Sequence, residues 1–242
     1  MSLRNFLLGS FLAVASPATA LAADGWTDLF DGENLTGWVQ RGGKATYKVE
    51  DRAIVGISTM NTPTSYLCTE KTYGDFILEY EFKVHPKLNS GVQFRSEWFA
   101  SKTKINVDGK NQMMPAGQVF GYQAEIDADP DKDRWWSGGI YDQSRRGWIY
   151  PGKKGGDEAD FTGTGREIFK KDDWNHVRIE ATGDSIKTYL NGVPRAEITD
   201  SLSPRGFVAL QVHTIGKAKD KDGLQVRWRN LRIREIPGTA TR

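Results

Sequence analysis

The sequence has almost no cysteine. Cys68 is the only one in 242 residues, so no internal disulfide can staple the fold. Three scattered histidines and that one thiol also exclude a Cys/His zinc framework. There is little excess charge: 33 Lys and Arg against 31 Asp and Glu leave +2, with both signs interspersed, which excludes a dedicated nucleic-acid or membrane-surface role. Helical periodicity is nearly missing. No glycine-rich dinucleotide fingerprint in its strand–helix context, no phosphate loop, no H-E-x-x-H and no serine nucleophile elbow occurs. The one long apolar stretch, Phe6 to Val14, is too short to span a bilayer.

That stretch has another reading. Arg4 precedes it and Ala20-Leu21-Ala22 follows as a small-residue cleavage site, which predicts a secretory signal peptide over residues 1–22. The mature chain then starts near Ala23 or Asp24, is periplasmic or secreted, and retains no integral membrane segment. Residues 23–242 read as a single domain, since neither a linker nor an internal repeat divides them.

Alternation of apolar and polar residues predicts many strands. In Phe76 to Val84, Phe76, Leu78, Tyr80, Phe82 and Val84 share one face, with Glu79, Glu81 and Lys83 on the other. Val92–Arg95, Val119–Asp127, Trp174–Ala181, Ile186–Leu190, Phe207–His213 and Leu224–Ile236 follow the same rule. Tyr47–Val49 and Ala53–Ile57 flank Asp51-Arg52 as a hairpin would, and Asn191-Gly192 is a strong hairpin turn. Pro151 to Gly165 reads as a long Gly- and Asp-rich loop, and Arg166 to Lys171 as one short helical turn. The expected fold is all-β: a two-sheet antiparallel jelly-roll sandwich of the concanavalin or laminin-G type.

The polar parity of these strands carries the functional expectation. Opposite the apolar residues stand Glu81, Gln93, Arg95, Gln123, Glu125, Asp127, Gln211 and His213. A solvated face usually carries Lys, Thr and Ser; carboxylates, amides, an arginine and an imidazole suit hydroxyl and carbonyl groups. Trp136, Tyr141 and Trp148, in nearby loops, offer aromatic faces for the C–H side of a sugar ring. The expected site is a concave face with Glu81, Arg95, Glu125, Asp127 and His213 as catalytic candidates. Gln93, Gln123, Gln211, Trp136, Tyr141 and Trp148 are its binding candidates. No cofactor is required. If a divalent cation serves, its ligands are His213, Glu125 and Asp127, though no local ligand spacing points to one. The string Glu125 to Asp129 is superficially similar to the E-I-D-x-E signature of retaining β-glucanases, but it ends in Asp and its surroundings do not match. What remains is a carbohydrate-active enzyme or a non-catalytic, lectin-like carbohydrate-binding module.

Several segments carry a resemblance. Gly25 to Trp38 (GWTDLFDGENLTGW), Asn89 to Arg95 (NSGVQFR) and Gly121 to Asp127 (GYQAEID) resemble, in this order, landmarks of the 3-keto-disaccharide hydrolase family. Trp174-Asn175, Asn191-Gly192, Gly206 to His213 and Arg229 to Ile233 are similar to its remaining ones. The resemblance implies a concanavalin-like jelly roll and action on glycosides whose C3 hydroxyl is oxidised to a ketone. Such a ketone acidifies the C2 proton, so a base can remove it and the C1 substituent leaves by β-elimination. Glu125 or His213 is then the base, Arg95 the partner of the enolate oxygen, and Glu81 or Asp127 the acid. The chain departs from the family at Thr214, where a glycine is common, and in the order of Gln123 and Glu125.

Overall fold

The computed structural model describes residues 25–127, 129 and 133–237; the segment expected to be a signal peptide lies outside them. The chain opens with β1 (Thr27–Asp28), β2 (Trp38–Gly42), β3 (Thr46–Glu50), β4 (Ala53–Ile57) and β5 (Ser65–Thr69). The long β6 (Phe76–Val84) and β7 (Asn89–Trp98) follow, then a hairpin of β8 (Thr103–Val107) and β9 (Lys110–Met114). Next come β10 (Val119–Asp127), β11 (Ile140–Gln143), β12 (Gly147–Tyr150) and the helix α1 (Glu158–Ile168). The strands β13 (Asn175–Thr182), β14 (Ser185–Leu190), β15 (Val193–Thr199), β16 (Phe207–Val212) and β17 (Gln225–Glu235) complete it.

Two large antiparallel sheets result. One has the order β15-β14-β13-β6-β17-β4-β3, with β1 also on β17; the other has β12-β11-β10-β7-β16-β5-β2. Successive long strands β5, β6 and β7 switch from sheet to sheet, as in a jelly roll. The alternation explains why the sheets stack. Phe76, Leu78, Tyr80, Phe82, Val92, Phe94, Ile126, Leu210 and Val212 all enter one core between them. Full burial of one such side chain stabilises the fold by roughly 1.5–3 kcal/mol, so the alternation fixes which face points inward.

Local turns agree. Asp51 and Arg52 both take positive φ, 52° and 57°, in the two-residue turn between β3 and β4. Asn191 and Gly192, at 51° and 85°, do the same between β14 and β15. The expected loop from Pro151 to Gly165 is corrected: α1 occupies its second half and ends at Ile168. Asp157 caps α1 through the backbone N–H groups of Ala159 and Asp160. The stretch Thr162-Gly-Thr-Gly165 has low helix propensity, and α1 buries only Phe161 and Gly165, so it leaves no apolar period to read.

Two catalytic candidates are misplaced by simple parity. Arg95 sits on a bulge: Phe120 pairs with Glu97 and Tyr122 with Phe94, so two residues of β7 oppose Gly121. Its φ is 45°, and its side chain is only 1% exposed. The guanidinium donates to Gly74 O, Gly183 O and Asp75 Oδ1, each at 2.8 Å, tying the sheets together away from the polar face. Glu81 is outward-facing as expected but on the other sheet, where it accepts from Arg229 and Asn230. Parity assigns a face; it does not assign a sheet.

Candidate functional site

Strands β7, β10, β11, β12 and β16 build the polar face. Asn89, Gln123, Glu125, Arg134, Tyr141, Gln143, Trp148 and His213 line a cleft of about 260 Å³ on it. That lies just below the ~300–1,000 Å³ usual for drug-sized ligands, and the cleft is open to solvent on one side.

Glu125 is the central group. It is 3% exposed and accepts from Asn89 Nδ2, its diagonal neighbour on β7, and from Gln123 Nε2 at 2.7 Å. Burial pushes its pKa up to about 7, and the Asp127 carboxylate adds to the rise. The Asn89 and Gln123 hydrogen bonds and the Arg134 charge pull the other way. A carboxyl poised near neutrality can exchange a proton with a ligand at physiological pH.

Arg134 reaches in from the segment after β10. Its guanidinium is bound by Asp127, whose side chain is 1% exposed while that of Arg134 is 33% exposed. It also lies 5.3 Å from the Trp136 ring centre and 5.5 Å from that of Trp148, so cation–π attraction adds to the ion pair. The Arg134 charge is therefore held at the cleft, where a ligand can meet it. Trp148 stands edge-on to Tyr141, with centroids 5.3 Å apart, and the two form an aromatic wall. His213 follows β16 and is exposed at the cleft. Its Nδ1 faces the Thr214 carbonyl at 2.8 Å; a carbonyl only accepts, so Nδ1 carries a proton and Nε2 is left to exchange one with a ligand.

Of the expected residues, Gln123, Glu125, Tyr141, Trp148 and His213 meet in the cleft. Asp127 shares the Glu125 face but is committed to Arg134. Gln93 and Gln211 are corrected as ligand-binding groups: both are fully buried behind Gln123. Trp136 is corrected too. It donates to Thr162 Oγ1 at 2.8 Å and lines a neighbouring hollow against α1 instead of the cleft. Asp127 is ion-paired, both Glu125 oxygens accept hydrogen bonds, and among the described residues no three His, Cys, Asp or Glu form a metal-holding group.

Asn89, Arg134 and Gln143 were not anticipated. Asn89 opens the NSGVQFR segment, and the β7–β10 register that sets Gly91 opposite Glu125 brings it within reach. Arg134 lies in a polar segment with no pattern, so nothing local marks it.

The profile of the 3-keto-alpha-glucoside-1,2-lyase-like domain matches residues 25–234. No curated protein matches the chain in sequence. Among solved structures it is similar to a Parabacteroides distasonis protein provisionally described as a glycosyl hydrolase (TM-score 0.54, 16% identity, 89% of this chain and 95% of that one). It is also similar to a Bacillus subtilis protein of unknown function with a galectin-like fold (0.54, 9%, 83% and 90%). A third is porphyranase B of Zobellia galactanivorans (0.50, 12%, 91% and 98%). At these identities the likeness shows the jelly-roll fold.

Proposed function

The chain belongs to the 3-keto-alpha-glucoside-1,2-lyase-like family, a carbohydrate-related family, and from that premise we propose that it cleaves 3-keto-glycosides by elimination across C1 and C2. The observation that carries this reading is the buried Glu125 carboxyl, raised to about 7, in a cleft beside the Arg134 cation. A lectin needs aromatics and amides; it has no use for a buried, near-neutral acid whose ionisation costs stability.

The chemistry follows from the residues. Tyr141 and Trp148 take the apolar side of the ring. Glu125 removes the C2 proton, and the electron pair of that C–H bond moves onto the C3 oxygen as an enolate. Arg134 stabilises that oxyanion, taking the role that Arg95 cannot fill from the interior. As the C3 ketone reforms, a C1–C2 double bond forms and the C1–O bond breaks. Protonated His213, at the open side, gives the leaving oxygen its proton through Nε2. The products are an unsaturated 3-keto sugar and the free aglycone alcohol; water adding across C1 and C2 would complete a net hydrolysis.

Aglycone release from a 3-keto-glycoside, compared with its unoxidised parent, tests the proposal. Release from the ketone alone supports it; tight binding of the parent without turnover of either favours the lectin-like module. Export belongs to the same reading. It rests on Arg4, the Phe6 to Val14 stretch and Ala20 to Ala22, and mass spectrometry of the natively produced protein should find a start near Ala23 or Asp24.

A further inference from the structure

Behind the cleft, amide side chains form a chain leading away from Glu125. Gln123 donates to the carboxylate at 2.7 Å. The oxygen of the Gln123 amide accepts twice, from Gln93 Nε2 and from Gln211 Nε2, the latter at 2.7 Å. The Gln93 oxygen in turn accepts from Ser96 Oγ at 3.0 Å. Gln93, Gln211 and Ser96 are all fully buried.

We propose that Gln93 and Gln211 are positioning residues: they clamp the Gln123 amide with its N–H toward Glu125, and so hold the cleft carboxyl in one orientation without touching substrate. This deepens, and rests on, the reading of Glu125 as the base.

Polarity carries the inference. An ionised carboxylate only accepts hydrogen bonds, so the Gln123 nitrogen must face it. The Gln123 oxygen then points back, where two donors meet it. If Gln123 flipped, its N–H groups would face two other N–H groups and its oxygen would face a carboxylate. Two clamps therefore make the flip costly twice over, because each mispaired buried group loses its partner. Packing alone does not call for amides here. On the same sheet, Cys68 and Ala209 lie in a small apolar cluster with Tyr66, Val119 and Phe207. Burying amides costs free energy unless bonds are made; the nitrogens of Gln93 and Gln211 make theirs toward Gln123 and the carboxyl beyond it, while the Gln211 oxygen has no partner among the described residues.

Direct titration of the Glu125 side-chain carboxyl by carbon-detected NMR tests the clamp without requiring turnover. The groups facing Glu125 are Asp127 on its own strand, Arg134, Tyr141 and His213 in the cleft, and the buried phenols of Tyr66 and Tyr80. None of them hydrogen-bonds Gln93, so a change at Gln93 reports on the amide chain. Gln93→Met keeps the length but cannot donate. It should move the Glu125 midpoint up, by at most about one pH unit, the size of the charge-assisted Gln123–Glu125 bond that the clamp secures. Gln93→Glu keeps the shape and reverses the polarity, and should move the midpoint further. Gln211→Met should act like Gln93→Met and serves if either Gln93 variant fails to fold. A midpoint unmoved in the folded variants overturns the clamp. If the wild type is inert on 3-keto-glycosides yet the midpoint moves, the clamp stands and the reaction falls. If the wild type turns over and the midpoint stays, the clamp alone falls.

Discussion

Gly91 lies directly beneath the side chain of Gln123: a β-carbon built on Gly91 would sit 2.5 Å from Gln123 Cδ. The absence of a side chain at Gly91 is therefore spatial, a gap through which the amide passes on its way to Glu125. Gly91→Ala should displace Gln123 and release its hold on the carboxyl. Overpacking of this kind costs about 1–3 kcal/mol. The expected result is a fall in melting temperature together with roughly a 10-fold or greater loss in kcat, because a carboxyl displaced by an ångström is a poorer base. Equal kcat in wild type and variant would show that Gln123 does not matter to the reaction.

Arg134 should separate charge from geometry. Arg134→Ala removes the cation assigned to the enolate oxygen and is expected to lower kcat/KM about 100- to 1000-fold. Arg134→Lys keeps the charge but loses the planar fork that spans Asp127 and the Trp148 face, and should recover only part of the activity. Steady-state kinetics on both variants checks this. Full activity in Arg134→Ala would remove Arg134 from the mechanism.

These two residues also mark what the sequence could and could not reveal. Alternation placed Phe82, Phe94, Ile126, Leu210 and Val212 in the core and set Gln123, Glu125 and His213 opposite, because one buried face per strand imposes a period of two. The positive φ values of Asn191-Gly192 were implied by residue type, and the Asp51-Arg52 turn by the strands that flank it. Asp108-Gly109 carries the same turn signal between β8 and β9, but those strands are too polar for alternation to announce them. Arg95 was lost to a bulge, which adds one residue to one strand and leaves no mark in composition. Glu81 was lost because the order of strands in a sheet is a long-range property. Arg134 joins the site through a loop closure, not through any period.

Arg95 should behave as a structural tie. Its three bonds to Gly74, Gly183 and Asp75 are part-buried, so Arg95→Ala leaves two carbonyls without that donor and the Asp75 carboxylate with the Gly183 N–H in place of a cation. Breaking a buried ion pair by removing one partner costs about 3–5 kcal/mol. Chemical denaturation should show that loss, while the kcat of the fraction still folded stays near wild type. A stable but inactive variant would return Arg95 to the catalytic set.

Glu125 links activity to stability. Its pKa is about 7 in the fold, raised from 4.5. Between those values the folded state keeps a proton that the unfolded state has lost. Stability contributed by this group is therefore fully present below about 4.5 and is lost as pH rises through about 7. Glu125→Gln cannot ionise and escapes the loss. It should match the wild type near pH 4.5 and exceed it above pH 7 by about 3 kcal/mol. Denaturation curves at the two pH values check this, and parallel curves would mean that Glu125 is not raised.

The most direct test of the account is proton exchange at C2. In deuterium oxide, wild-type protein should place deuterium on C2 of a 3-keto-glycoside, detectable by NMR or mass spectrometry, because the elimination begins with removal of that proton. Glu125→Gln should abolish the exchange while leaving the fold intact, since it keeps the shape of the side chain and removes the base. The apparent rate in the wild type should climb with pH through about 7 as Glu125 ionises. Exchange undiminished in Glu125→Gln, or aglycone release by the wild type with no deuterium at C2, would contradict the assignment of Glu125 as the base that opens an elimination.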